Sequence, residues 1–453
     1  MNDSLAGLLQ DYAAGRLLPS GVTDTAIAVA KDCRAQIRAF AEIDEPGARL
    51  AAALSDDYYR NRTPRALEGI PIGVKDLFDT AGLTTRYGSP AYSENVPSTD
   101  AEVVRSLKQS GAVVVGKTTT HEFAWGVTTA SERFGDTLNP WDHSKIPGGS
   151  SGGMAASIAY GAVNVGIGTD TGGSVRIPAA LCGVVGFKPT YGLLSTHGVF
   201  PLAPSLDHVG IMGRSVGDTK MVAAALGIRS NDAPRGSRYR VGIAVKATDL
   251  PISRDVEISF ELARTVLERH YEVVEVDDLP SFKRGFEAFA GIVLAEAGMV
   301  HFSRHDREHV QASYGAETAS RLALAEETTI GNYAASQRLR REFVRKLDNA
   351  MINCDFLVLP TCPCSAPTRG TDRITIGKWS GSIREALMIY TAPFNLAGTP
   401  ALSLPMSPAR TDGMPVGLQI VAGRGRDGEL LAFASEVEAR LGFRESRVDP
   451  MKR

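Results

Sequence analysis

Cysteine is scarce in this chain. Its 453 residues hold five, Cys33, Cys182, Cys354, Cys362 and Cys364, an odd number and widely scattered. That argues against a disulfide framework and for reduced, mostly buried thiols in a reducing compartment. The short run "CPC", Cys362 to Cys364, lacks both the spacing and the second ligand pair of a zinc site, so it reads as structural. Charge of one sign is missing too. A formal net charge of −2 leaves no basic excess with which to hold nucleic acid or an acidic surface. Long apolar runs are absent, and no stretch approaches the length needed to span a bilayer. The N-terminal "MNDSLAGLLQDYAAGRLL" places acids where a signal peptide carries basic residues. These absences predict a cytoplasmic protein with no membrane and no nucleic-acid partner.

What is present is a chain able to bury a large core, with 43% hydrophobic and 22% charged residues. Helix-like and strand-like segments alternate. "TDTAIAVAKDCRAQIRAFAEID" reads as helix and "GIPIGVKD", from Gly69, as a short strand. "STDAEVVRSLKQSG" carries helix signals, with Ser98 or Thr99 as cap and Gly111 just past the end. "AVVVGKT" follows as a buried strand, "SSGGMAASIAYG" as a tightly packed helix and "AVNVGIGTD" as a strand. "RVGIAVK", "EVVEVDD", "DFLVLP" and "PVGLQIVAG" extend the strand series, and charged helices run from about Phe282 to Asn353. This alternation predicts an α/β fold: a mixed, largely parallel central sheet covered by helices on both faces. "APRGSR", within 233–238, could mark a boundary. With no repeat or low-complexity tract, one continuous domain over 1–453 is the expectation.

Two serine-glycine loops stand out, "PGGSSGG" from Pro147 and "GTDTGGSVRIPAA" from Gly168, with Ser150 and Ser174 separated by 24 positions. Neither matches a P-loop or a dinucleotide fingerprint. They are not linkers either, because the residues between them are apolar and small where linkers stay polar. "GGSSGG" does fit a Gly-x-Ser-x-Gly elbow, with Ser150 or Ser151 central. An elbow needs an acid and then a histidine downstream. Asp207 and His208 are adjacent, which is awkward for separate roles, and His270, His301, His305 and His309 sit in charged, helix-like segments. An α/β-hydrolase-like esterase therefore stays an alternative. In "GIPIGVKD", Lys75 ends an apolar run, where desolvation penalises its ammonium form. Burial can lower a lysine pKa by several units from about 10.4, into the range of a base working near neutrality. The competing reading is a lysine that reaches water and pairs with Asp76 or Asp79.

Taken together, "GIPIGVKD", "PGGSSGG" and "GTDTGGSVRIPA" resemble the amidase signature family of serine hydrolases in order and spacing. "GAVVVGKT", "RFGDTLNPWD", "GFKPTYGLLS", "SLDHVG", "TAPFNLAGTPALSLP" and "PVGLQIVAG" are similar to further blocks of that family, so the resemblance covers most of the chain. The stretch from about 239 to 353 is the least similar, and in the family it is where substrate preference varies. The resemblance implies the amidase signature fold and a triad of Lys75, Ser150 and Ser174. Ser174 would be the nucleophile and Ser150, in a cis peptide, the relay to Lys75. A hydroxyl can donate and accept at once, as a relay must. Backbone N–H groups of Thr171, Gly172, Gly173 and Ser174 would form an oxyanion hole. Asp170, Arg176 and Ser151 would support the loop. Trp125 and Thr128, in "HEFAWGVTTAS", are the candidate substrate contacts.

The implied activity is hydrolysis of a carboxamide or related C–N bond in a small molecule, with no cofactor. The alternative is a glutaminase or amidotransferase A-type subunit working in a partner complex. "HEFAWGVTTAS" departs from the form usual in such A-type subunits, which speaks for the small-molecule reading. Assembly is open, with a homodimer as one option. "HDREH", His305 to His309, fits an inverted zinc-protease pattern, with His301 on the same helical face. Its dense polarity predicts a solvated helix face and no metal site.

Overall fold

The computed structural model describes residues 4–131, 134–230, 239–244 and 250–442. Its strands are β1 (Phe40–Ile43), β2 (Pro71–Lys75), β3 (Val113–Thr118), β4 (Val165–Thr169), β5 (Val185–Lys188), β6 (Val209–Gly213), β7 (Arg240–Ile243), β8 (Glu272–Glu275), β9 (Phe356–Pro360), β10 (Arg373–Ile376), β11 (Trp379–Ser382), β12 (Ala401–Met406) and β13 (Val416–Ala422). Eleven of them form one mixed sheet in the order β1-β3-β2-β4-β6-β5-β12-β13-β9-β7-β8. β3-β2-β4 and β9-β7-β8 run parallel. Between them, neighbours from β4 to β9 pair antiparallel. β10 and β11 form a separate hairpin.

Around the sheet lie α1 (Leu5–Ala13), α2 (Pro19–Ile37), α3 (Glu45–Arg60), α4 (Glu102–Gln109), α5 (Gly152–Tyr160), α6 (Arg176–Cys182), α7 (Val216–Ala225), α8 (Arg254–His270), α9 (Phe282–Phe302), α10 (Arg307–Ser313), α11 (Ala316–Glu326), α12 (Ile330–Ala350), α13 (Ile383–Met388), α14 (Ala392–Ala397) and α15 (Asp427–Leu441). Both faces of the sheet are covered. Along β3 successive side chains point to opposite faces, so Val113 and Val115 join the apolar cluster beneath α2, α3 and α5 while Val114 joins the larger cluster opposite. Strands buried on both faces read as continuous apolar runs, which is why "AVVVGKT" is legible as one.

Several local expectations change. The cap of α4 is Ala101, without a side-chain hydrogen bond, and not Ser98 or Thr99. The segment "TDTAIAVAKDCRAQIRAFAEID" leaves the helix after Ile37, where Arg38 turns left-handed (φ 54°), and its end becomes β1. "HFSRHDREHVQASYG" is broken between α9 and α10, with the Asp306 carboxylate accepting from His309 N–H at 2.8 Å. His301 is consequently buried against Phe123 and Tyr314 and not solvated. His305 stacks on His309 at a 4.2 Å ring separation. Among the described residues no three metal-ligating side chains converge. Helix α9 is long and apolar enough by composition to cross a bilayer, contrary to the sequence reading, yet more than half of that stretch is buried within the fold. The candidate boundary "APRGSR" lies outside the described residues.

Candidate active site

Parallel pairing of β2 with β4, Val74 opposite Ile167, brings the ends of the two strands side by side. Lys75, the last residue of β2, therefore lies beside Thr169, the last of β4. Lys75 Nζ donates to Thr169 Oγ1 and to Ser150 Oγ, both at 2.7 Å. The side chain is fully buried. Burial pushes its pKa down to about 7, against the opposing pull of the Asp170 and Asp207 carboxylates. Asp76, the surface partner considered for Lys75, instead lies 3.8 Å from Lys117.

The loop bearing Ser150 and Ser151 leads into α5. Its Gly149–Ser150 peptide is cis. A Cβ at Gly149 would sit 2.8 Å from Thr128 N, so glycine lets the two loops pass. Ser151 N–H donates to the Ser174 carbonyl (3.1 Å), and Ser151 Oγ to the Thr169 carbonyl (3.2 Å). Ser151 thus ties the first serine loop to the second. Among the described residues no hydrogen bond joins Ser150 Oγ to Ser174 Oγ, and no histidine side chain bonds any of the three serines, although the His121 backbone N–H donates to the Ser150 carbonyl at 3.3 Å. Ser174 Oγ has no hydrogen-bond partner there, and the residue lines a cavity.

Asp170 organises the second loop. Its carboxylate accepts from the N–H of Gly173 (2.8 Å), Val175 (3.2 Å) and Arg176 (3.4 Å). The Arg176 guanidinium grips it with Nε (3.0 Å) and Nη2 (2.9 Å). The remaining guanidinium donors reach Thr391 O, Gln419 Oε1 and Asn395 Oδ1. All five side-chain N–H groups of Arg176 are therefore used. Burial alone would raise the Asp170 pKa, but Arg176 and Lys188 hold it well below the usual carboxylate range. Asp170 and Arg176 are both fully buried, not a surface pair. One consequence alters the expected donor set: Gly173 N–H is occupied by Asp170. The N–H groups of Thr171, Gly172 and Ser174 have no partner among the described residues. Gly173 has φ +128°, and a Cβ there would sit 2.2 Å from Thr391 Oγ1, so glycine is required. Thr171 Oγ1 donates to Asp207 at 2.6 Å.

Ser174 opens into a narrow cavity of about 20 Å³, walled by Trp125, Val127, Ile177, Phe289, Arg384 and Met388 among others. Val127 and Arg384 also line a larger cavity of about 300 Å³ that includes Thr128, His121, Glu317 and Arg321. Trp125 thus lies at the inner cavity and Thr128 at the outer one, where its Oγ1 is 3.4 Å from His121 Nδ1. Sequence reasoning missed Thr169, Thr391, Asn395, Gln419 and Arg384. Gln419, a lone polar residue in "PVGLQIVAG", and Asn395, likewise alone in "TAPFNLAG", carried a signal. Arg384 carried none.

The family model described as Amidase matches residues 21–431. The A subunit of the glutamyl-tRNA(Gln) amidotransferase from Methanococcoides burtonii is 35% identical over 422 residues, covering 84% of this chain and 86% of that protein. The crystal structure of an amidase superposes with a TM-score of 0.89 at 34% identity, covering 97% of this chain and 100% of the other. A chain from a vestigial protein complex, described as revealing the origins of an s-triazine catabolic enzyme, superposes at 0.87 with 30% identity and covers 97% and 98%. The matched region takes in Lys75, both serine loops and the strands that bring them together, and the chain belongs to the amidase signature family.

Proposed function

We propose that this chain hydrolyses a carboxamide through an acyl-enzyme on Ser174. The observation that carries the reading is Lys75, a buried amine held near pKa 7 and 2.7 Å from the Ser150 hydroxyl. In its neutral form the amine accepts a proton from Ser150 as Ser150 accepts one from Ser174. Ser174 Oγ then bonds to the carbonyl carbon. The oxyanion is met by N–H groups that the loop leaves unpaired, those of Thr171, Gly172 and Ser174, with Gly173 removed from the set by Asp170. The proton returns from Lys75 through Ser150 to the departing nitrogen as the C–N bond breaks. Water repeats the cycle on the acyl-enzyme. The Ser150–Ser174 hydrogen bond that the relay needs is of a kind often formed fully only with substrate in place.

Two substrates fit this chemistry. The curated relatives support the amide of glutamine, with the chain acting as the A-type component of a multi-subunit amidotransferase. They favour that reading over the free small-molecule amide that the sequence alone put first. The likeness to a chain from a complex adds to it. The test reacts purified protein with a fluorophosphonate and maps the modified serine, alongside ammonia release from glutamine and simple amides. Labelling at Ser174 that disappears in Lys75→Ala is expected. Labelling at Ser150 or Ser151 overturns the assignment. Turnover of simple amides by the isolated chain, with glutamine inert, selects the small-molecule reading.

A further inference from the structure

Phe289, Val293 and Glu296 of α9 recur at spacings of four and three, so they share one face of the helix. Phe289 and Val293 wall the cavity at Ser174. Glu296 is buried and grips a different element, the loop over 202–208. Its carboxylate accepts from Ser205 N–H (2.9 Å), Ser205 Oγ (2.6 Å) and Tyr333 OH (2.9 Å). Arg340 of α12 holds the same serine, donating to Ser205 Oγ at 3.2 Å and to its carbonyl at 3.1 Å. The Ser205 hydroxyl therefore donates to one helix and accepts from another, as a hydroxyl can.

The loop so anchored is tied in turn to the loop that carries Ser174. The Asp207 carboxylate accepts from Leu202 N–H (2.9 Å) and Ala203 N–H (3.1 Å), which fixes it within its own loop, and from Thr171 Oγ1 (2.6 Å). His208 and Asp170 exchange backbone hydrogen bonds of 2.9 and 3.2 Å. Leu202 walls the Ser174 cavity as well. The Asp207 contact matters because of what Thr171 lacks. Gly172 has its carbonyl held by Thr391 Oγ1 at 2.7 Å, and Gly173 its N–H held by Asp170 at 2.8 Å. Among the described residues Thr171 makes one hydrogen bond, from its hydroxyl to Asp207. A donor stabilises a developing oxyanion only when its direction is set beforehand. For Thr171 the hydrogen-bonded hold runs through Asp207.

We propose that Glu296 is a positioning residue for the oxyanion site. It fixes Ser205, and with it the loop whose Asp207 carboxylate orients Thr171. The inference rests on the proposed amide hydrolysis and adds to it a residue that makes no hydrogen bond to Lys75, Ser150 or Ser174.

The test measures kcat and KM for ammonia release from glutamine and from acetamide in wild type, Thr171→Val, Thr171→Ser, Glu296→Gln and the double variant. Fluorophosphonate labelling of Ser174 is timed on the same proteins. Thr171→Val should lower kcat by about 100-fold, the scale of a lost oxyanion donor, with KM little changed. Thr171→Ser, which keeps the hydroxyl, should recover about 10-fold or more of that loss. Glu296→Gln turns one acceptor oxygen into a donor facing Ser205 or Tyr333. It should lower kcat by about 10-fold at constant KM. Because both changes act on one donor, the double variant should fall within about 2-fold of Thr171→Val alone. If Glu296→Gln does not fold, Ser205→Ala carries the same cycle. Where labelling occurs without turnover, its second-order rate constant replaces kcat. Losses that multiply, or a Glu296→Gln effect confined to the thermal midpoint, overturn the inference and leave the hydrolysis standing. A wild type that turns over neither amide and takes no label at Ser174 overturns the hydrolysis, and the inference with it.

Discussion

The two sides of the cavity are built on opposite rules. On the loop side, the charged side chains that hold the two loops, Lys75, Asp170 and Arg176, are all engaged, and Ser174 Oγ and the N–H groups of Thr171, Gly172 and Ser174 stay open among the described residues. Arg176 places five donors on four acceptor residues, and Asp170 accepts from three backbone N–H groups. On the helical side, Trp125 Nε1 is buried without a partner among the described residues, and Arg384, part-exposed, has no hydrogen bond or ion pair there although Glu317, Asp136 and Asp372 line the same outer cavity. Saturation holds geometry, because every displaced group would lose a hydrogen bond in a low-dielectric setting. Unmet donors do the reverse and leave binding energy for an incoming molecule. The first side is suited to carrying out a reaction and the second to choosing what undergoes it.

The largest test of this contrast is Lys75→Met. It should lower kcat by about 10⁴-fold, measured by ammonia release. The thermal midpoint at pH 7 should stay within about 5 °C of wild type, because a buried amine is exchanged for an apolar chain of similar length. A variant that unfolds instead would make Lys75 a structural residue and blur the division.

Asp170→Asn comes next and acts on stability. It leaves the buried Arg176 charge without its counter-ion, which should cost about 3–5 kcal/mol, read from urea unfolding. A cost below about 1 kcal/mol would mean that the loop is not held as described.

A smaller effect lies in the pH profile. Hydrolysis should rise with an apparent pKa near 7 as Lys75 loses its proton. The Asp207 carboxylate favours the ammonium form, so Asp207→Asn should move this limb to lower pH. A shift upward would contradict the sign. The smallest change is expected from His305→Ala on the stacked pair outside the cavity, within about 0.5 kcal/mol of wild-type stability by calorimetry. A large loss of activity there would extend the functional surface beyond the two sides described.

The same division explains what could be read from sequence. Glycine and serine in "PGGSSGG" and "GTDTGGSVRIPA", and a lysine closing an apolar strand, are rare combinations whose local chemistry points to one task. The doubly buried strands β2, β3 and β4 were equally plain. The antiparallel neighbours β5, β6 and β12 escaped because short apolar runs among glycines and prolines have no period to separate strand from loop. Gly173 has the glycine of an oxyanion donor, yet its N–H direction depends on Asp170, which only the folded loop reveals. Arg384 was invisible for a different reason. Its place between the two cavities is set by the fold alone, and "GSIREALM" is an ordinary helix start.

The capture of Gly173 N–H by Asp170 also has a consequence for shape. With that donor withdrawn and its neighbours fixed, a carbonyl oxygen can settle in one orientation relative to Ser174. Phe289 and Met388 stand beside Gly172, and Ile177 stands beside Gly173, so the walls on the two sides of the loop differ. A substituent on the carbon beside the carbonyl meets a different wall in each mirror form. The pocket is therefore asymmetric about the reacting carbonyl, and an amide racemic at the neighbouring carbon should be consumed one hand first.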